Sequence, residues 1–243
     1  MVTEKNLIIK IKKHFKKNGF NKAVIGLSGG IDSSLACTLL VLALGKKNVF
    51  GYYLPYSNES DLNDVKILAE NLGISWKKIA LKKIAELVLK TLNPSNKVLK
   101  GNIAARLRMI ALYNEAGKKK ALVAGTGNKS ELMLGYFTKF GDGGADFLPL
   151  GNLFKSDVIN LSKKLKVPKS IVEKIPSAGL WPGQEDEKEL GITYKKIDLI
   201  LKFLEKKITK KTLSENKVTE KDIFKVKKRI QLNKHKIELP LIL

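Results

Sequence analysis

Apolar and polar positions along this chain keep two rhythms. A helical spacing of three to four residues marks an amphipathic helix over about Glu4 to Lys17, ending at Asn18-Gly19. Short apolar runs bounded by turn residues mark strands at about Lys22 to Leu27, Val49 to Leu54, Ile74 to Ala80, Ala121 to Ala124 and Phe147 to Leu150, with helices between them. The segment Ile31 to Leu44 is apolar on nearly every face and closes at Gly45, which predicts a helix buried in the fold or in a subunit contact. Another helix is expected over about Ile103 to Glu115, closing at Gly117. Further helices fall near Ser156 to Leu165, Tyr194 to Glu205 and Glu220 to Leu232, around a loop rich in Gly, Pro and acids. This alternation predicts an α/β fold, a doubly wound, mostly parallel five-stranded sheet with helices on both faces. No internal repeat is visible.

In an open sheet of this kind ligands bind beyond the carboxyl ends of the strands, where strand order reverses. The segments to search are therefore Ser28 to Ser33, Pro55 to Asp61, Gly125 to Glu131 and Gly151 to Lys155. The first is the most informative. Ala23 to Ser33 reads as an apolar strand, a Ser28-Gly29-Gly30 turn and the start of an apolar helix at Ile31. Glycines let backbone N–H groups wrap an anion, and the helix start adds its unpaired donors and positive dipole end. Asp32 would repel a phosphate there unless a divalent cation bridged the two. The plainer alternative is a tight strand-to-helix turn with Ser28 as the helix cap.

Composition narrows the class. The net charge of +23 invites nucleic acid as a partner, but among the 46 basic residues only Arg106, Arg108 and Arg229 are arginines. The charge reads as solvated lysine whose field attracts small anions, and no nucleic acid is expected. The longest nearly apolar run, Leu35 to Leu44, is far below the roughly 20 residues that span a bilayer. Met1-Val-Thr-Glu-Lys carries no apolar leader, so a cytoplasmic protein without a membrane is expected. Cys37 alone excludes an internal disulfide and any multi-cysteine metal site.

Two further segments carry chemistry. Gly125-Thr-Gly-Asn-Lys-Ser-Glu131 follows a strand, and its Glu131 is either an ordinary first-turn cap or a second carboxylate for a magnesium ion near Asp32. Gly135 to Leu150 sets four glycines and two aspartates among aromatics, as in a loop over a planar ligand or a packed Ω-loop.

Ser-Gly-Gly-x-Asp-Ser resembles the pyrophosphate-binding loop of the N-type ATP pyrophosphatases, of the adenine nucleotide alpha-hydrolase-like fold. Gly101 to Met109, Gly125 to Glu131, Phe137 to Asp146 and Glu189 to Tyr194, collinear through His235-Lys236, are similar to the ammonia-dependent NAD synthetases over nearly the whole chain. The resemblance implies one synthetase domain over residues 1–243, without a glutaminase domain, working as a homodimer. It implies a ligase that adenylates deamido-NAD with ATP and Mg2+, releases pyrophosphate, and lets ammonia displace AMP. By the same resemblance Gly26, Leu27, Ser28, Gly29, Gly30, Ile31, Asp32 and Ser33 hold ATP, with Thr126, Lys155 and Ser177. Asp32 and Glu131 hold magnesium, and Arg106, Lys139, Asp146, His235 and Lys236 bind deamido-NAD. Asp142 and Lys155 are the catalytic pair, with Asp142 beside the ammonia. Ser177 to Glu187 resembles the family's mobile loop, and Pro55 to Asn58 matches the family only loosely. The alternatives are a tRNA-modifying pyrophosphatase of the same loop class, disfavoured by the single cysteine, and a non-catalytic adenine-nucleotide sensor, disfavoured by two metal-ligand candidates.

Overall fold

The computed structural model describes residues 3–56, 61–181 and 183–238. Four parallel strands, β1 (Ala23–Gly26), β2 (Val49–Tyr53), β3 (Ser75–Lys78) and β4 (Leu122–Ala124), lie in the order β3-β2-β1-β4. The chain steps outward from β1 through β2 to β3, then returns to the other side of β1. The order therefore reverses between β1 and β4, and the segments after those two strands meet at the switch point.

Side chains alternate across the sheet as the two-residue period requires. Ala23 and Ile25 of β1 face one core, under α1 (Glu4–Lys17), α2 (Ile31–Leu44), α3 (Leu62–Leu72) and α7 (Lys155–Lys164). Val24 faces the other, under α5 (Lys97–Lys119) and the start of α4 (Lys82–Leu92). Between α7 and the remaining helices lies the short α8 (Lys169–Val172). A third core joins α6 (Lys129–Leu134), α9 (Asp186–Leu190), α10 (Tyr194–Leu204), α11 (Lys210–Glu215) and α12 (Glu220–Ile237) through Leu134, Ile197, Leu201, Leu213 and Val226.

The bounds of α1 and α2 are those the pattern predicts. Leu35, Ala36, Cys37, Leu39 and Leu40 of α2 are fully buried, each leucine worth roughly 1.5–3 kcal/mol of apolar burial. Burial also pushes the Cys37 thiol up to about 12, which makes it inert packing.

Two expectations are corrected. The fifth strand, Phe147 to Leu150, reduces to one parallel bridge between Phe147 and Ala124. There the Asp146 carboxylate, not a strand carbonyl, takes the Val123 N–H at 2.7 Å, and Pro149 has no N–H to extend a ladder. Helix α5 starts well before Ile103, at an Asn96 cap whose side chain accepts from Leu99 N at 3.0 Å. It also runs past Gly117 to a left-handed Lys120, because Leu112 and Ala116 pack on the sheet and tertiary burial outweighs a glycine. Among the described residues no helix is long and apolar enough to cross a membrane.

Candidate active site

The phosphate loop forms as its residues require. Gly29 has φ +73°, and a Cβ there would lie 2.7 Å from Asp61 Cβ, so only glycine fits. Gly30, rather than Ser28, occupies the N-cap of α2, and no side chain caps that helix. The hydroxyls are used within the loop. Ser28 Oγ accepts from Gly30 N at 3.2 Å and lies 3.0 Å from Ser33 Oγ, while Ser33 and Ser34 donate to the Gly30 carbonyl at 3.0 and 2.9 Å. The first-turn N–H groups of α2 are left as donors facing the turn, a site for an anion. Gly26, Leu27 and Ile31 border it, the last two with buried side chains.

Beneath the loop, Lys155 at the start of α7 is 2% exposed, with Nζ 2.5 Å from Asp32 Oδ2 and 3.6 Å from Glu131 Oε1. These residues come from three separate segments meeting at the switch point. Asn128 ties them together, donating its side-chain amide to Asp32 Oδ1 at 2.9 Å and closing a reciprocal capping box with Glu131. Glu131 is thus both the ordinary cap and a member of the charge cluster. Burial first, and then the Asp32 charge, push its carboxyl up to about 8. Burial works against the Lys155 ammonium, but Asp32 and Glu131 outweigh it and raise its pKa. Asp198 sets the approach of α7: one oxygen accepts from Ser130 Oγ and the other from Ser156 N at 2.8 Å, while Lys155 N donates to Ser130 Oγ at 3.0 Å.

Asp186 is a second buried acid, after Asp198, to which the sequence assigned no role. It accepts from Tyr194 OH, Tyr136 OH and Ala178 N at 3.1, 3.2 and 3.0 Å, and the Tyr194 ring lies 5.1 Å from Lys155 Nζ. It anchors Ser177 to Glu187, the segment that resembles the family's mobile loop, or lid. Within that segment exposed Ser177 accepts from Gly179 N, and Gln184 holds Leu180 N at 2.9 Å. Tyr56 OH reaches across to the Leu180 carbonyl at 2.9 Å, and Leu180 presses on Gly101 of α5. Pro182 of the lid, and Ser57 and Asn58 of the second loop, lie outside the described residues. Thr126 is half-buried just beyond β4.

The glycine-rich loop packs on the protein itself. Added Cβ atoms at Gly141 and Gly143 would meet Ala105 at 3.0 Å and Phe137 at 2.4 Å, so these glycines serve a packed Ω-loop. Thr138 N donates to Asp142 at 2.9 Å. Asp142 is open to solvent, yet desolvation by the surrounding protein pushes its carboxyl up against the opposing pull of Thr138 and Arg108. Exposed Arg106 donates to the Lys139 carbonyl at 3.3 Å, and Lys139 Nζ donates to the His235 carbonyl at 2.6 Å. Lys236 donates to Gly135 and Phe137 carbonyls at 2.8 and 3.1 Å, and burial lowers its pKa. Asp146 is held by Tyr113 OH and Val123 N at 2.8 and 2.7 Å. Arg108 turns away from Arg106, as the two-residue spacing predicts, and donates to the Leu54 carbonyl at 3.1 Å.

Asn128, Asp186 and Asp198 were missed. Only Asn128 had a local signal, as the first residue of an Asn-x-x-Glu capping box.

The donor set suits magnesium. Two carboxylates lie within reach of one cation beside an anion cradle, and Mg2+ commonly takes one or two carboxylates and completes its shell with phosphate oxygens and water. Among the described residues no third such side chain joins them, so phosphate would supply the rest.

A parallel sheet with an uncapped glycine loop at its switch point and paired acids below defines a nucleotide-binding α/β protein of the ATP pyrophosphatase kind. The sequence model of the NAD synthase family matches residues 3–240, and the chain belongs to that family. It is 42% identical over 238 residues to the NH3-dependent NAD+ synthetase of Pyrococcus furiosus, covering 97% of this chain and 93% of that one. Among solved structures it is similar to an NMN synthetase from Francisella tularensis, with TM-score 0.87, 39% identity and 99% and 96% of the two chains covered. It is likewise similar to an NH3-dependent NAD synthetase from Campylobacter jejuni, with TM-score 0.83, 35% identity and 99% and 97% covered.

Proposed function

We propose that this chain is an ATP-dependent ligase that converts deamido-NAD to NAD with ammonia. The observation that carries the reading is the uncapped loop Ser28 to Ser33 set directly over Asp32, Glu131 and Lys155. In the first step the nicotinate carboxylate attacks the α-phosphorus of ATP, and the bond to pyrophosphate breaks. Both reactants are anions, so their meeting needs neutralised charge and fixed positions. The α2 donors and Gly29-Gly30 backbone hold the departing diphosphate. Fixed donors of this kind are typically worth about 3–4 kcal/mol each in a transition state. Thr126 and Ser177 complete the ATP site, and Lys155 serves the phosphate tail. A magnesium ion held by Asp32 and Glu131 would neutralise phosphate charge.

In the second step the nitrogen of ammonia attacks the acyl carbon and the bond to AMP breaks. Ammonia is mostly ammonium at neutral pH and must lose a proton first. Asp142, whose pKa the surrounding protein raises, binds the cation and takes that proton. Arg106, Lys139, Asp146, His235 and Lys236 form the dinucleotide side, where their bonds to one another and to nearby backbone groups set the shape against which the substrate docks.

The chain works as a homodimer. Amphipathic α4 exposes Ile84, Leu87 and Leu92, and α5 exposes Val98, Leu99 and Ile110, an apolar surface that a second copy would cover. Light scattering showing a monomer at micromolar concentration sinks this part.

The likeness to an NMN synthetase favours one second reading, in which the acid substrate is the mononucleotide. One assay separates them: amide formation from ATP, ammonium and either deamido-NAD or nicotinate mononucleotide. The proposal expects a much higher kcat/KM for the dinucleotide, and pyrophosphate release that is sustained only when acid and ammonium are both present. Sustained release without the acid substrate contradicts it.

A further inference from the structure

We propose that Lys155 is an exchangeable counter-ion, which holds Asp32 and Glu131 in the nucleotide-free protein and yields them to a divalent cation only when a triphosphate arrives. The inference rests on the reading of the site given above and adds an order of events to it.

The geometry sets up the competition. Lys155 Nζ touches Asp32 Oδ2 at 2.5 Å and lies 3.6 Å from Glu131 Oε1, so it stands where a cation shared by these carboxylates would stand. The side chain is 2% exposed, and the ammonium has no ready access to water if it leaves them. A buried ammonium stripped of its carboxylates is strongly unfavourable unless another anion takes it. A dication added beside the ammonium meets a like charge in a poorly screened place. Either event alone is opposed. A triphosphate with a divalent cation resolves both, because the phosphate tail accepts the ammonium while the cation takes the carboxylates.

The moving part and the fixed parts are distinct. Asn128 holds the other Asp32 oxygen at 2.9 Å and pins Glu131 through the capping box, so the carboxylates stay aimed when the ammonium departs. The Lys155 backbone is fixed by Ser130 Oγ at 3.0 Å, but its four-carbon stem can rotate. The exchange is therefore a side-chain movement and requires no shift of the sheet or of α7.

The test measures metal binding rather than turnover, with Mn2+ as probe and electron paramagnetic resonance or calorimetry as readout. Without nucleotide, wild type should bind Mn2+ no more tightly than Asp32→Asn does, because Asp32 is engaged. With α,β-methylene-ATP the wild-type affinity should rise roughly 5- to 150-fold, and by linkage Mn2+ should tighten the analogue by the same factor. Lys155→Met should gain Mn2+ affinity without nucleotide, by about tenfold or more within that same range, and its melting temperature should rise with Mn2+ alone. Lys155→Arg, which keeps the charge, should not gain it.

A nucleotide-free wild type that binds Mn2+ more tightly than Asp32→Asn overturns the proposal, whether or not the methionine variant folds. So does a folded Lys155→Met with no gain. Either result with normal NAD formation by wild type leaves the synthetase reading standing. Absence of amide formation from either acid nucleotide is the separate failure of that reading.

Discussion

The two groups of candidate site residues handle charge in opposite ways. On the proposed phosphate side, Asp32, Glu131 and Lys155 are partnered with one another, through side chains, in a largely buried cluster. On the proposed dinucleotide side, Arg106, Lys139 and Lys236 are partnered with backbone carbonyls, near the surface. The difference teaches that the first side is an electrostatic device, in which altering one group changes the others. The second is a shaped surface, in which each group mostly fixes the local chain. Polar partners of the first kind couple strongly, whereas those of the second should act almost independently.

Asp32→Ala should break the contrast most sharply. It strands a buried ammonium, so a loss of about 3 kcal/mol in denaturant unfolding is expected along with activity at background. Near-normal turnover would remove Asp32 from the mechanism. Asp142→Asn comes next, with amidation slowed on the order of 10²–10⁴-fold while adenylation persists, so that rapid quench should trap the adenylate. Equal loss of both steps would remove its specific role.

The same variant tests stability with a definite sign. The folded-state pKa of Asp142 is raised above its ordinary 3.8, so the native protein holds a proton that the unfolded chain has lost. Its contribution to stability is therefore greatest below that value and falls as pH rises through the folded pKa. The asparagine variant should melt no lower than wild type at pH 7, with any advantage vanishing near pH 4.

Gly29→Ala should cost about 1–3 kcal/mol from backbone strain alone, plus the clash with Asp61, and should raise KM for ATP more than it lowers adenylation at saturation. The smallest pair sharpens the other side. Lys236→Met should lose about 1–2 kcal/mol because two carbonyls lose a charged donor, whereas exposed His235→Ala should stay within about 0.5 kcal/mol of wild type. Both should raise KM for the dinucleotide and leave KM for ATP unchanged. A double variant that departs from additivity would contradict the independence argued for this side.

Much of the architecture was legible because its causes are local. Helices α1 and α2 were bounded correctly by an Asn18-Gly19 stop, the Gly30 entry and the Gly45 exit. The bend at Ser28 to Gly30 was legible because a serine, two glycines and an apolar helix start leave the backbone few other conformations. The failures share a different cause. Phe147 to Leu150 has a strand's apolarity, but Asp146 takes the neighbouring N–H and Pro149 lacks one, so pairing stops at a single bridge. Gly117 looked like a helix end, yet packing of the flanking turns on the sheet carries α5 through it. Asp186 and Asp198 sit on helices where an isolated acid resembles a solvated one until its burial is seen.

By itself the sequence determined the rhythm of strands and helices, the glycine turn before α2 and the family, since each depends on preferences acting over a few neighbouring residues. Only the tertiary structure decided that Lys155 answers Asp32, 123 positions away, and that Tyr56 meets Leu180 across 124. Contacts of that range follow from strand order and helix packing. Forty-three lysines look alike in local pattern along the chain; a resemblance can single out Lys155, but its burial between two carboxylates is visible only in the fold.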